Sequence, residues 1–281
     1  MRSSLRLWPL HWTWLLALIL LFCAVCAPLL APYDPQTGIL SERLMPPFWL
    51  PGGEYAHLLG TDVLGRDILS RLLFGARISL LVAILSVLLA GLVGSVVGVA
   101  AGYLGGWVDT LLMRIVDLAI SLPMILIALL VGVLVGPSLS NIVVIIGLML
   151  WSLFARMARN ETLRVKTYPY VDLARTAGCP GWRIALEHLL PNIAGPLIVL
   201  ATLQTGTVII MESALSFLGV GVPPPTPAWG SMIADGRSYV LSAWWICIFP
   251  GLAILITVMT ANLLGDRFAA SLDRARESIR S

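Results

Sequence analysis

The chain has 281 residues, of which 58% are hydrophobic and only 12% charged, and its mean hydropathy is +0.92. Soluble domains carry about a quarter charged residues. This composition therefore excludes a globular enzyme, a secreted disulfide scaffold and a nucleic-acid-binding module, and it predicts a membrane protein. The formal net charge of +3 says little alone, because the distribution of charge along the chain sets the orientation in a membrane.

Six apolar stretches are long enough for helical crossings, each of which needs roughly 20 mostly apolar residues. The alternation of polar and apolar residues that builds a membrane β-barrel is missing, so the sequence predicts an all-α membrane protein with six transmembrane helices. The predicted spans are residues 12–31, 78–102, 111–135, 140–157, 193–218 and 244–264.

The order of these spans predicts the organisation of the chain. The first apolar run follows Arg2 and Arg6 and is longer than the usual core of a signal peptide, so it is interpreted as a retained anchor. Most arginines lie in segments on the side of the N-terminus, which places both termini in the cytoplasm by the positive-inside rule. The predicted regions are an N-terminal anchor helix (1–32), an external loop with an interfacial helix (33–77), a five-helix core (78–266) containing a cytoplasmic loop (160–192), and a cytoplasmic tail (267–281).

Small residues form a regular pattern in the second predicted span. Gly91, Gly94, Gly98 and Gly102 recur every three or four positions. Such spacing allows two helix backbones to approach closely. The pattern predicts a tightly packed helix pair and no ligand site.

Few ionisable residues fall inside the spans, and each is a functional hypothesis because its burial in a bilayer is costly. Glu212 is the deepest, with Ser213 and Ser216 close to its helical face. These residues either line a polar translocation path or bond a neighbouring helix. Asp117 lies three residues after Arg114, a spacing that favours a local ion pair.

The sequence contains no motif for catalysis or for a bound cofactor. The phosphate-binding pattern G-x-x-x-x-G-K-[ST] is missing, and Lys166 is the only lysine. The three histidines are scattered without metal-ligand spacing. We therefore predict a conduit, with no catalytic or metal-binding residues, and not an enzyme.

Residues 160–192 form the longest polar segment on the predicted cytoplasmic side. Two short helices, 169–177 and 182–190, are predicted on either side of the sequence GCPG at 178–181. Glycine permits the positive φ that ends a helix, and proline prevents its continuation. The segment is predicted to be a compact protruding elbow suited to docking with another protein.

At this elbow the sequence resembles a known family. The run YVDLARTAGCPGWRIALEHLLPN, residues 170–192, is similar to the EAA loop of ABC importer membrane subunits. Gly178, Leu190 and Pro191 match the loop pattern, whereas Leu173 stands in place of its first alanine and His188 in place of its isoleucine. Two more stretches resemble the peptide and nickel branch of the family: GTDVLGRDILSRLLFGARISL at 60–80 and ALSFLGVGVPPPTPAWGSMI at 214–233.

The resemblance implies a type I ABC importer permease in the bacterial cytoplasmic (inner) membrane. Its implied partners are a second homologous permease, two ATP-binding subunits that hold ATP and Mg, an extracytoplasmic substrate-binding protein, and the lipid bilayer. In this family the loop helix docks on the ATPase. The positions that the resemblance assigns to ATPase coupling are Asp172, Ala174, Arg175, Ala177, Gly178, Cys179 and Pro180.

The external segments carry further expectations. The prolines of 223–229 predict an extended, semi-rigid outer loop. This loop either contacts the binding protein through Pro224, Pro225 and Trp229 or only caps the bundle. Arg66 is expected to pair with Asp62 or Asp67.

The leading hypothesis is a permease subunit for dipeptides or oligopeptides. One alternative keeps the same architecture and changes the cargo to nickel or a metal chelate. An alternative of another class is a self-sufficient channel or proton-coupled carrier, with Glu212 as the relay. A membrane enzyme is a more distant alternative, because the chain contains no catalytic constellation.

Overall fold

The computed structural model describes residues 11–280, with side chains described for residues 12–271. Arg2 and Arg6, which precede the predicted anchor, lie outside the described residues. The same holds for the side chains at the end of the predicted tail.

Helices account for nearly all regular structure in the described part of the chain. One 3-10 turn covers Leu40–Glu42, another covers Arg237–Tyr239, and a short helical turn covers Ala27–Leu30. The longer helices, numbered here in chain order, are α1 (His11–Val25), α2 (Ile68–Leu104), α3 (Gly106–Ser121), α4 (Met124–Val135), α5 (Leu139–Val165), α6 (Pro169–Thr176), α7 (Gly181–Phe217), α8 (Trp229–Gly236) and α9 (Trp245–Arg280).

Four helices within the described residues, α2, α5, α7 and α9, are long and apolar enough to cross a membrane. A fifth crossing is possible if α3 and α4 together form one bent span, and the apolar part of α1, Trp12–Val25, is shorter. An all-helical membrane bundle is therefore confirmed. Six crossings and cytoplasmic termini stay predictions.

The span predicted at 111–135 is interrupted at Pro123. Residues 106–135 form two helices, α3 and α4, that meet at an angle of 86°. Leu122 has the extended backbone (ψ 137°) that a following proline favours, and Pro123 provides the N-cap of α4. The proline therefore starts a new helix instead of bending an existing one.

The short helix predicted before residue 78 is present only from residue 68 and is not separate from the following span. Residues 60–67 form a loop, and α2 begins at Ile68 and continues without interruption to Leu104. The start is fixed by Asp67, whose carboxylate accepts hydrogen bonds from the backbone N–H (2.8 Å) and the hydroxyl (2.7 Å) of Ser70. An aspartate in this position satisfies an otherwise unpaired amide of the first helical turn.

The chain divides into two compact units. One contains Met1–Leu81 and Glu212–Leu264, and the other contains Val82–Met211 and Gly265–Ser281. The first unit holds the external loop, α8 and Glu212. The second holds α3 to α6 and the predicted elbow.

In the second unit, α2 and α5 approach each other along the predicted glycine pattern. A Cβ atom built on Gly94 would overlap the backbone of Trp151, and one on Gly98 would overlap the backbone of Ala155. A Cβ on Gly102 would lie 2.9 Å from Thr162. The prediction of a closely packed helix pair is confirmed.

Replacement of Gly98 by alanine should force α2 and α5 apart, because the new methyl group has no space against Ala155 and Ala158. We expect the free energy of unfolding of the purified protein in detergent to fall by about 1–3 kcal/mol, the usual cost of overpacking. Denaturant titration measures this change.

Gly91→Ala is the matched control on the same helix. Its Cβ would meet Phe154 at 3.7 Å, an ordinary contact, and alanine favours helix by roughly 0.5–1 kcal/mol over glycine. Equal stability of the two variants would contradict the packing described for α2 and α5.

Candidate functional site

The elbow forms as a helix, a tight turn and the start of a second helix. Proline occupies the first turn of α6, where backbone N–H groups have no partner within the helix, so its missing N–H costs no hydrogen bond. After α6 the amide of Gly178 donates to the Arg175 carbonyl (3.0 Å) and that of Cys179 donates to the Ala174 carbonyl (3.0 Å). Gly178 has φ +77°, so the predicted glycine turn is confirmed.

The second half of the elbow differs from the prediction of a separate helix at 182–190, which is wrong. The helix that begins at Gly181 continues into the membrane-length helix α7. A π-helical turn at Ile184–Leu189 comes just before Pro191. This wider turn lets the helix pass a proline, which has no amide hydrogen to donate and whose ring crowds the preceding turn.

Apolar side chains divide sharply between the inside and the outside of the elbow. Val171 and Ile184 are fully buried and fix it to the second unit. Leu173, Trp182 and Leu186 are 68%, 67% and 56% exposed. An exposed apolar patch on a segment that is otherwise polar is typical of a surface that meets another protein.

The predicted coupling residues lie together on the exposed part of this turn. Asp172, Arg175, Ala177, Gly178 and Pro180 are exposed, while Ala174 and Cys179 are half-buried. Asp172 and Arg175 form a loose pair at 3.6 Å. The structure brings these residues to one surface, and their role in coupling stays a prediction.

Charged residues tie the base of the elbow to the neighbouring helices. The Lys166 ammonium donates to the carbonyl oxygens of Tyr103 (2.8 Å) and Gly102 (3.4 Å) at the C-terminal end of α2. A cation there interacts favourably with the helix dipole, by about 0.3–1 kcal/mol. Arg159 holds both carboxylate oxygens of Asp109.

Asp117 has a different partner from the one predicted. Its carboxylate accepts a hydrogen bond from Arg156 on α5 at 2.6 Å. The expectation of a local pair with Arg114 is therefore wrong. The basic partner of Asp117 is therefore Arg156 on the facing helix α5, and not Arg114 on its own helix.

Glu212 in the first unit is completely buried between α7 and α2. Its carboxylate accepts hydrogen bonds from the hydroxyl of Ser216 (2.7 Å) and from that of Ser79 (3.1 Å). Ser213 is also buried. The bond to Ser79 joins two helices, which supports the structural interpretation of Glu212 over a polar path.

Only two of the three outer-loop residues predicted to contact a binding protein are exposed. Pro224 and Pro225 are exposed. Trp229 is 1% exposed, and its indole N–H donates to the Leu72 carbonyl at 3.1 Å. Trp229 therefore anchors α8 on α2, and only the two prolines remain as candidates for contact with a binding protein.

A charge network in the external region, buried except for Asp235, confirms one expected pair and adds two residues. Arg66 bonds Asp62 at 2.6 Å, as expected. Arg71 lies 3.5 Å from Asp62, and Asp235 of α8 lies 3.3 Å from Arg66. Sequence reasoning missed Asp235, which lies 169 positions from Arg66, and it missed Arg71, which stands at no helical spacing from Asp62.

An apolar groove of about 610 Å³ lies in the second unit between α2 and α7. Its lining includes Leu92, Val96, Trp182, Leu186 and Leu197, with Ser95 among the few polar side chains. Such a surface is suited to hydrocarbon or to an apolar helix and offers no cradle for a polar ligand.

Comparison with known proteins identifies the class to which this bundle and elbow belong. The sequence profile of the family described as "binding-protein-dependent transport system inner membrane component" matches residues 94–278. A chain from the MetNI methionine ABC transporter, solved in inward-facing conformations, is similar over 72% of this chain and 95% of its own length, with a TM-score of 0.56 and 20% identity. This similarity shows the fold of an ABC importer permease.

Two relatives resemble the chain over almost its whole length. The di/tripeptide transport system permease protein DppC of Pseudomonas aeruginosa is 42% identical over 259 residues, 92% of this chain and 86% of the relative. The dipeptide transport system permease protein DppC of Escherichia coli is 44% identical over 255 residues, 91% of this chain and 85% of the relative. The chain belongs to the family of inner-membrane components of binding-protein-dependent transport systems, and it is a multi-pass permease subunit.

The environment of Glu212 generates a test of its role. Glutamine at this position retains a carbonyl that accepts from Ser79 or Ser216 but has no charge to relay. We expect Glu212→Gln to support uptake at close to the wild-type rate. Leucine leaves both hydroxyls without their acceptor, so Glu212→Leu should lower the free energy of unfolding by about 1–3 kcal/mol.

Uptake by cells and denaturant titration of the purified variants measure the two effects. Loss of uptake in Glu212→Gln at unchanged stability would favour a relay instead of a structural bond.

Proposed function

We propose that this chain is the permease subunit of an ATP-driven importer of dipeptides or short oligopeptides. The observation that carries the proposal is the 42–44% identity, over more than nine-tenths of the chain, to permeases named for dipeptide or di/tripeptide transport. A third relative, the probable D,D-dipeptide transport system permease DdpC of Escherichia coli, is 39% identical over 91% of the chain. These names favour a peptide cargo over nickel.

In this proposal the chain forms the translocation path with a second homologous permease, and hydrolysis takes place on two ATP-binding subunits that hold ATP and Mg. The apolar groove between α2 and α7 supports contact with another membrane helix. The lack of a phosphate-binding motif in the sequence supports hydrolysis on separate subunits. An external binding protein delivers the peptide, and Pro224 and Pro225 are candidates for its contact.

The elbow is the proposed contact with the ATPase. Its exposed Leu173 provides apolar area to bury against a partner, and Asp172 and Arg175 provide charge at the edge. Its buried residues make it a rigid extension of the second unit. Movement of an ATPase pair would then displace the membrane helices, a rigid-body switch between two states.

Affinity purification tests the assembly. The chain is tagged at its C-terminus, extracted gently from native membranes, and its co-purifying proteins are identified by mass spectrometry. We expect a second permease and one or two ATPases. Recovery of the chain alone, under conditions that preserve other membrane complexes, would favour a self-sufficient carrier.

Uptake by cells that lack the chromosomal copy of this gene tests the cargo. Labelled dipeptide and labelled nickel are offered separately, with and without the chain supplied in trans. We expect the chain to restore dipeptide uptake and leave nickel uptake unchanged. Restoration of nickel uptake alone would contradict the peptide assignment.

The turn at Gly178 provides a test of coupling. A Cβ there meets no atom within 4 Å, so only the positive φ of +77° requires glycine. A β-branched residue is strained at such a φ, and we expect Gly178→Val to lower peptide uptake at least about ten-fold while the protein still inserts. Asparagine tolerates this conformation, so Gly178→Asn is the matched control and should retain most uptake. Normal uptake in the valine variant would exclude the elbow as the lever.

A further inference from the structure

Three contacts between the elbow and the rest of the second unit converge on one aromatic side chain, Tyr103. This residue is the second to last of α2. The guanidinium carbon of Arg175, on α6, lies 5.5 Å from the centre of its ring. The ammonium of Lys166, which follows α5, lies 5.8 Å from the same point.

Both distances fall within the range of about 6 Å in which a cation is attracted to an aromatic face. The ring edge also contacts the first residue of α7. A Cβ built on Gly181 would lie 3.1 Å from two atoms of Tyr103, its Cε1 and its hydroxyl oxygen. Glycine at 181 therefore allows the ring to lie close against the backbone at the start of α7.

Tyr103 thus contacts the elbow on both sides of the turn. Arg175 belongs to the helix before Gly178, and Gly181 begins the helix after it. The backbone carbonyl of Tyr103 also accepts from Lys166 at 2.8 Å. Asp172, which pairs with Arg175 at 3.6 Å, lies on the same helix, whereas the ring of Tyr103 links Arg175 to a different helix.

We propose that Tyr103 is a positioning residue that transmits displacement of the elbow to α2 through its stacked cations. The inference rests on the proposed function, because it assigns a route for the movement that the ATPase imposes on the elbow. A push on α6 or on the start of α7 moves the ring, and the ring is fixed to the end of the membrane-length helix α2. Without the ring, only the buried side chains of the elbow and the hydrogen bonds of Lys166 link its movement to α2, and coupling weakens.

The test measures coupling separately from assembly. The complex purified with its partner chains is reconstituted into liposomes, with labelled dipeptide and its binding protein outside. Imported peptide and hydrolysed ATP are measured in the same sample. We expect Tyr103→Leu to lower the ratio of peptide to ATP about ten-fold while the partner chains still co-purify, whereas Tyr103→Phe, which keeps the ring, should stay near the wild-type ratio.

Trp107→Leu is the matched control. Trp107 is a nearby aromatic residue at the start of α3 that is 76% exposed. Its loss should leave the ratio unchanged. A wild-type ratio in Tyr103→Leu would overturn the inference, and so would an equal loss in the Trp107 variant.

If leucine at position 103 prevents assembly of the complex, a series of milder replacements tests the same inference. Phenylalanines carrying one, two or three ring fluorines, inserted at position 103 by nonsense suppression, weaken the negative face of the ring with little change of shape. The ratio of peptide to ATP should fall with each fluorine at constant assembly. A flat series would overturn the inference, since a packing role does not depend on the ring quadrupole.

A double-mutant cycle identifies the partner of the ring. If the contact of Tyr103 with Arg175 transmits the movement, the two substitutions remove the same interaction. The double variant Tyr103→Leu, Arg175→Leu should then have a ratio of peptide to ATP no lower than that of the more severe single variant. Fully additive losses would contradict this route. If the wild-type preparation contains no ATPase, the proposed function itself is contradicted. If the wild type and the Tyr103 variants show the same ratio of peptide to ATP, only the inference about Tyr103 is contradicted.

Discussion

The close approach of α2 and α5 determines where the first helix of the elbow begins. Because Gly94, Gly98 and Gly102 have no side chains, the backbone of α2 lies against α5 in one register. Thr162 meets Gly102 in that register, and Lys166, one turn further along the chain, then reaches the last carbonyls of α2. The first helix of the elbow, α6, begins three residues later. Its starting point is therefore fixed by helix packing and not by a flexible linker.

Charged side chains in this apolar chain are mostly paired with one another where they are buried. His57 lies between the carboxylates of Asp67 (3.0 Å) and Glu42 (3.2 Å), and Asp67 also caps α2. The pairing of Arg66 and Arg71 with Asp62 follows the same rule. A buried charge without a partner is expensive, so these clusters restrict how the external loop can fold.

Features set by neighbouring residues could be predicted from the sequence. The turn at Gly178 and the glycine face of α2 depend on local conformation and helical spacing, and both are present. Features set by distant residues could not. The partner of Asp117 lies 39 positions away and that of Arg66 on α8 lies 169 positions away. The π turn before Pro191 was also missed, because a proline marks a break without showing whether a helix stops or widens.

The single lysine of the chain gives it a chemical property of practical use. An amine-reactive reagent finds one side-chain amine in the whole sequence, and this amine lies at the junction of α2 and the elbow. While Lys166 donates to the carbonyls at the end of α2, its nitrogen is engaged and poorly nucleophilic. Separation of the elbow from α2 would release it. The rate at which Lys166 is modified therefore measures how often the elbow separates from α2. It can be measured in the intact protein without an introduced label.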